Sequence, residues 1–304
     1  MPRNPRRDRL RHPLAIAISL AALAIDPGCG LGDDAPYSPS SASTISQAVV
    51  TVPVQTPTGI VVKGADVGTL PGALTVGDDG SARYEIPIDV APGAQAPSLS
   101  LRYSSRSGNG FLGVGWSLSG LSAISRCGST FGTDGINAAV HNDSRDNLCL
   151  DGIRLLQINP RARSEYHPYP DTFEKVVVDS SDSVGPISFT VYDHDGGTRT
   201  YGATADSRVD SNHDRWPNPD NPWRLRWLLS RSTDASGNYM TVTYDKTNPH
   251  HIVPHRIDYG GHAGTGAVAD RSVIFNWEDR ADTERSFQGG VELDVFWRLS
   301  GIDL

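Results

Sequence analysis

Glycine and proline interrupt short apolar runs so regularly between Tyr84 and Arg126 that this chain has few choices other than many short strands joined by tight turns. The stretch reads YEIPIDVAPGAQAPSLSLRYSSRSGNGFLGVGWSLSGLSAISR. Ile86-Pro87-Ile88 is a strand-like run, and Pro92-Gly93 supplies the turn after it. Leu99, Leu101 and Tyr103 alternate with polar residues, the period of a half-buried strand. Gly110, Gly113 and Gly115 then lead into Trp116. Glycines at this density mark reversals and close backbone approaches, and the indole supplies a large area to bury at the corner. Gly108-x-Gly110-x-x-Gly113 also spells the G-x-G-x-x-G of a dinucleotide cradle. No helix and no βαβ pattern follow it, so the glycines are assigned to the corner and no cofactor is assigned to the chain.

The same grammar continues downstream. Phe173 to Val178 and Ile187 to Tyr192 are expected strands, with Asp193-His-Asp-Gly196-Gly197 as a hairpin turn and Thr198 to Tyr201 returning from it. Asp234-Ala-Ser-Gly237-Asn238 is a second turn, between Leu225–Ser230 and Tyr239–Tyr244, and Val273 to Trp277 is a further strand. The chain holds 31 Gly and 21 Pro against 2 Met, a balance that disfavours helices. No segment beyond the N-terminus has helical periodicity. The expected class is all-β, with many short antiparallel strands arranged as a β-sandwich or a partial β-shell.

The formal net charge of −8 argues against nucleic acid as a partner, since phosphate binding needs a basic surface. The N-terminus carries its own charge pattern. Arg3, Arg6, Arg7, Arg9 and Arg11 precede the apolar run Leu14 to Ile25. That run is shorter than the ~20 residues a membrane-spanning helix needs, and its flanks fit an export signal over residues 1–29. Two processing routes are open. Ala22-Leu23-Ala24 fits cleavage for free secretion, whereas Gly28-Cys29 fits lipoprotein processing, with membrane anchoring through a lipidated Cys29. Asp26 departs from the aliphatic residue usual before such a cysteine. The chain is therefore expected outside the cell, or held at the outer membrane as a lipoprotein. Residues 30–65 are rich in Ser, Thr and Pro and read as a disordered linker, with Val49 to Val54 and Ile60 to Val62 as candidate short strands. Residues 66–304 form the β module. Two cysteines remain in it, Cys127 and Cys149. Export favours a disulfide between them, and two separate buried thiols are the alternative.

Candidate chemistry is sparse. Asp210, Asn212 and Asp214 have the alternate spacing of a calcium loop, but Arg215 and Asn221 stand where an EF-hand needs Gly and Glu. They remain a weak Ca²⁺ candidate beside the plainer reading, a solvated Asn/Asp/Pro loop. His250, His251, His255 and His262 lie close in sequence, but Pro249 and Pro254 exclude the helix that would pair them on a metal. Alternation puts His251 and His255 on one strand face. Trp216, Trp223 and Trp227 could line a sugar-binding surface or fill a core. No nucleophile elbow and no P-loop occur, so no catalytic residue is assigned.

The motif from Pro87 through Gly93, Tyr103, Gly110, Gly113, Gly115 and Trp116 to Ile124 and Arg126 resembles the N-terminal signature of the Salmonella virulence plasmid B-protein (SpvB) family. That module also opens the B components of insecticidal Tc toxins and is similar to the shells of Rhs proteins. A second block, Trp227 to Asp245, carries the family's D-x-x-G-N turn at Gly237-Asn238, and Phe275 to Leu304 matches more loosely. Gly237 to Asp245 also resembles one tyrosine-aspartate repeat of Rhs shells, with a degenerate echo at Ile257 to Gly260. One copy makes no array. The resemblance implies a non-catalytic structural module of a secreted, toxin-related protein, with other toxin-complex or Rhs-like segments as partners. It also implies a module cut short at its C-terminus, because larger relatives continue beyond it. The ADP-ribosyltransferase of the Salmonella member is not implied, since its motifs do not occur here. A surface lipoprotein that binds carbohydrate or another envelope ligand is the alternative.

Overall fold

The structure, a computed structural model, describes residues 72–141, 145–158, 164–183, 185–210, 224–248, 251–288 and 291–304. All belong to the second of the two units into which contacts divide the chain, Asp66–Leu304. The expected export signal, the linker with its candidate strands, Cys29, Asn212, Asp214, Trp216, Trp223 and His250 lie outside the described residues.

The first strands are β1 (Ala73–Val76), β2 (Ala82–Ile88), β3 (Leu99–Ser104), β4 (Asn109–Gly110), β5 (Gly113–Val114) and β6 (Trp116–Ser119). They form an antiparallel sheet in the order β1-β2-β3-β6, with β4 and β5 as a short ribbon between β3 and β6. Register explains the alternation read in the sequence. Leu74 stands opposite Tyr84, Tyr84 opposite Tyr103, and Tyr103 opposite Trp116. Ile86, Leu101 and Leu118 form the next apolar row, and Glu85, Arg102 and Ser117 share the other face. Cross-strand rows of this kind are what stabilise a sheet.

Next come β7 (Ala123–Cys127), the single helical turn α1 (Phe131–Asp134), β8 (Asn147–Leu150), β9 (Ile153–Gln157), β10 (Glu165–Tyr169), β11 (Lys175–Asp182), β12 (Gly185–Tyr192), β13 (Thr198–Tyr201), β14 (Arg208–Asp210) and β15 (Arg224–Thr233). Neighbours from β7 to β13 pair in sequence, β13 pairs with β15, and β15 pairs back onto β7. Eight antiparallel strands therefore close into a barrel. A ring of this size is just wide enough to be filled by side chains. Ile124, Leu155, Val176, Phe189, Val191, Tyr201 and Trp227 fill it here, each almost fully buried. Trp227 meets Phe189 edge to face at 5.0 Å, and its indole N–H donates to the Pro186 carbonyl at 3.1 Å.

Strand β15 is shared between the barrel and a downstream meander. Its Arg231–Thr233 end pairs with β16 (Asn238–Asn248), the first meander strand, and β17 (His251–His262), β18 (Arg271–Gln288) and β19 (Val291–Asp303) complete it. Val242, Tyr244, Ile257, Tyr259, Val273 and Phe275 of the meander join Leu99 and the barrel residues in one core, with Ile88 and Leu118 packed against it. Tyr259 Oη donates to the Ala91 carbonyl at 2.7 Å, tying the segment between β2 and β3 to the meander.

The chain is all-β, as the punctuation predicts. The arrangement is a closed ring with two extensions rather than two stacked sheets. Three local differences have local causes. Helix α1 forms one turn where only strands are expected. The Asp134 carboxylate accepts the Thr130 amide at its start, and Gly135 ends it at φ +71°. Strand β11 begins at Lys175 rather than Phe173, because Phe173 sits at φ +61°, outside extended space. Strand β18 runs well past Trp277 because β19 pairs along it.

Candidate docking surface

The glycine-tryptophan corner is built by backbone. Gly113 and Gly115 have φ of +95° and +83°, a region open to glycine at little cost. The Gly115 amide donates to the Gly108 carbonyl at 2.9 Å, and the Ser104 amide donates to the Gly115 carbonyl at 2.9 Å. A Cβ on Gly115 would overlap the Tyr103 ring and meet the Ser104 carbonyl at 3.0 Å. That closeness lets Trp116 lie 5.4 Å from Tyr103 and edge-on to Tyr84 at 6.5 Å.

The far side of the corner lies on the meander. Arg280 of β18 is buried, with its side chain 1% exposed. Its Nη1 donates to the Gly110 carbonyl at 2.8 Å, and Nη2 donates to Asn109 Oδ1 at 2.7 Å and Asp282 Oδ2 at 2.6 Å. Nε reaches Asp282 Oδ1 at 3.0 Å. The fixed guanidinium fork suits such a set of acceptors. Its hydrogen bonds hold the Asp282 carboxyl well below the usual carboxylate range, with Asn109 adding to the effect. Phe111 packs edge to face on Trp277 at 5.8 Å, and the Leu299 amide of β19 donates to the Phe111 carbonyl at 3.0 Å.

Among the described residues, β1 and β19 each pair on one side only. Beside the β1 edge, Leu74 and Val76 are 72% and 77% exposed. Unpaired strand edges beside apolar side chains are ready acceptors for another strand. The first sheet also borders a groove of about 510 Å³, lined by residues that include Thr75, Arg83, Tyr84, Glu85, Arg102 and Tyr103.

The remaining sites named from sequence distribute as follows. Cys127 and Cys149 are joined by a disulfide between the neighbouring strands β7 and β8, with Cα atoms 5.9 Å apart. Asp210 closes β14, where its carboxylate accepts Lys246 Nζ at 3.0 Å and faces Arg224 Nε at 3.8 Å. Among the described residues, no three His, Cys, Asp or Glu side chains form a metal-binding group. His262 Nδ1 accepts the Thr265 amide at 3.1 Å, a turn contact. Trp227 is core. Gly237, at φ +92°, and Asn238 form the turn read from the sequence, with Asn238 Nδ2 donating to Asp234 at 2.8 Å. Pro87 lies in β2 opposite Ser100. A Cβ on Gly93 would lie 3.2 Å from the Arg271 side chain and 3.3 Å from the Tyr259 ring.

Sequence reading missed the hydrogen bonds by which arginines tie segments together inside the fold. Besides Arg280, Arg199 at one end of the barrel binds Asp193 at 2.6 Å, Tyr201 Oη at 3.0 Å, and Glu174. Tyr201 Oη lies 2.8 Å from Ser122 Oγ, which donates to Asp151 at 2.6 Å. Burial raises the Tyr201 pKa far above its ordinary value. This network joins the β8–β9 turn, the segment before β7 and the β12–β13 hairpin. Its hydrogen bonds satisfy polar groups that burial would otherwise leave costly. Arg126 donates to the Arg224 carbonyl at 2.6 Å beside Asp146.

Residues 76–131, which include the corner, match the family model described as Salmonella virulence plasmid 65kDa B protein, SpvB. No curated protein matches the chain by sequence. Solved structures share the fold. The crystal structure of TcdB2-TccC3 superposes with a TM-score of 0.60 at 19% identity, covering 78% of this chain and 14% of that one. The N-terminal domain of effector protein SpvB from Salmonella typhimurium strain LT2 gives 0.55 at 18% identity, covering 71% of this chain and 86% of that one. The Photorhabdus luminescens Tc holotoxin pore gives 0.60 at 18% identity, over 78% of this chain and 13% of that one. The chain thus spans about one seventh of the first of these and a comparable share of the third.

Proposed function

We propose that this chain is a non-catalytic structural and docking module of a secreted, toxin-related protein, contributing strands or a strand-edge surface to the enclosure and delivery of a toxin. The observation that carries the reading is a conjunction. The corner that matches the SpvB model sits against a meander in which β19, among the described residues, pairs on one side only, in a fold shared with Tc toxin components. Partners on this reading are other toxin-complex or Rhs-like segments, rich in strands, joined by edge addition. Residues 1–29 serve as the export signal, residues 30–65 as the linker, and Cys29 as the lipidation point if the lipoprotein route is taken.

The test is light scattering after size exclusion on the exported chain, alone and mixed with the product of the gene immediately downstream. A stable complex is the expected result. A monomer in both runs would count against docking. Intact mass of the exported chain separates the two processing routes, because a lipidated Cys29 carries the added mass of its acyl chains.

A further inference from the structure

We propose that Asn109 is a covalent modification site: its side-chain amide is lost by cyclisation onto Gly110 when the corner opens, and the fork of Arg280 keeps it intact while the corner is closed. Asn109-Gly110 is the only Asn-Gly pair in the sequence. The chemistry of such a pair is general. The Gly110 amide nitrogen gives its proton to water and bonds to Asn109 Cγ, and ammonia leaves from that carbon. Water then opens the succinimide ring at either carbonyl, giving aspartate or its isoaspartyl isomer. Glycine at the second position leaves the attacking nitrogen unhindered and the backbone free to turn. Asn109 and Gly110 are only partly buried, so water reaches the pair.

The closed corner opposes this cyclisation by its geometry. Asn109 and Gly110 form β4, with Asn109 opposite Val114 and Gly110 opposite Gly113 of β5. In extended antiparallel backbone ψ is near about +135°, and bringing the next nitrogen round to the side chain takes a rotation of roughly 100° about the Cα–C bond. That rotation carries the Gly110 peptide out of its pairing. It also parts two acceptors that one rigid guanidinium holds together. Arg280 Nη2 donates to Asn109 Oδ1 at 2.7 Å, and Nη1 donates to the Gly110 carbonyl at 2.8 Å. The fork is fixed in turn by Asp282, which accepts Nε at 3.0 Å and Nη2 at 2.6 Å. The guanidinium thus spans the bond that has to turn. Conversion proceeds from the open corner, and its rate follows the open fraction. It is also one-way. The isoaspartyl form adds a methylene to the main chain between Asn109 Cα and the Gly110 nitrogen, which shifts the Gly110 carbonyl off the fork. The proposal stands apart from the docking reading and does not depend on it.

The test holds the exported chain at mildly alkaline pH and follows Asn109 by peptide mass spectrometry, which reads the mass gained as amide becomes acid. Chromatography of the same peptide separates its aspartyl and isoaspartyl forms. The chain in urea gives the unguarded rate. Conversion in the folded chain is expected to be slower than in urea by roughly tenfold or more, with Arg280→Ala recovering most of the difference. Hydrogen exchange in barrel peptides around Leu155 and Phe189 stays at its wild-type rate in that variant, which separates a loosened corner from a destabilised fold. Asp282→Ala removes an exposed partner of the fork. It is expected to convert at an intermediate rate, and it decides the matter if Arg280→Ala does not fold. Equal rates in the folded and urea-treated chains would overturn the guard. So would a folded Arg280→Ala or Asp282→Ala chain that converts no faster than wild type, or one whose barrel exchange rises as much as its conversion. The converted fraction, isolated by ion exchange through its added negative charge, is expected to exchange faster from Gly108 to Trp116. Wild-type exchange there would overturn the one-way consequence.

Discussion

Gly113 and Gly115 stand two residues apart in the same corner, both at positive φ, yet a side chain would meet different surroundings at each. Space around a Gly113 Cβ is open, whereas a Gly115 Cβ overlaps Tyr103. Gly113→Ala should therefore cost only the backbone term, about 1–2 kcal/mol. Gly115→Val adds overpacking and should cost about 3 kcal/mol or more. Urea midpoints of the two variants check the difference, and equal losses would remove the packing argument. The acid groups give a second prediction at this scale. Hydrogen bonds from Ser81 to Asp79, from Ser100 to Glu85, from the Thr130 amide to Asp134, from Asn238 to Asp234 and from Arg280 to Asp282 hold these carboxyls below their ordinary values. Groups with depressed folded-state pKa values stabilise the fold above their unfolded values of about 4, and that stabilisation is lost as pH falls through the folded values. Thermal melting should be flat from about pH 7 to 5 and fall below about pH 4. A midpoint that stays level down to about pH 2.5 would contradict it.

Elements differ in how far the sequence announces them. Strand β3 and the turns at Gly196 and Gly237 were legible because period-two alternation and positive-φ glycines are local signals. Closure of β13 onto β15 was not, since it depends on register between segments that no local pattern links. The corner glycines were legible as a corner, but what the corner touches was not. Arg280 lies in the run Trp277-Glu-Asp-Arg280, which reads as a solvated face, and only the fold brings Asn109 and Gly110 to it. Arg126 was legible as the end of the motif but its burial was not, and the partners of Arg199 escaped for the same reason, because charge in a sequence argues for exposure until partners are known. The β7–β8 link can be tested as an element. Its cysteines are separated by 22 positions, so on the chain-entropy model Cys127→Ser with Cys149→Ser should lower stability by about 3 kcal/mol. Denaturant unfolding of the oxidised chain against the double variant reads this directly. No difference would mean that β7–β8 pairing alone fixes the unfolded ensemble as tightly as the covalent bond does.

At the scale of the whole molecule, one core runs from the barrel through the meander to the first sheet, so damage at its centre should be felt in all three. Trp227→Ala removes a fully buried indole and leaves the Pro186 carbonyl without its donor. A loss of about 3–5 kcal/mol is expected, with barrel and meander unfolding in one transition by near-ultraviolet circular dichroism and exchange. Two separated transitions would show that the parts are independent. The position of the closing strand has a further consequence, in time rather than in space. A ribosome that has released the chain through Tyr201 has made seven of the eight ring strands, β7 to β13, but not β15, which joins the two ends. Contacts of such long sequence separation form late and slowly. The nascent chain thus stays open until Arg224 to Thr233 emerges, and only then can the ring lock shut.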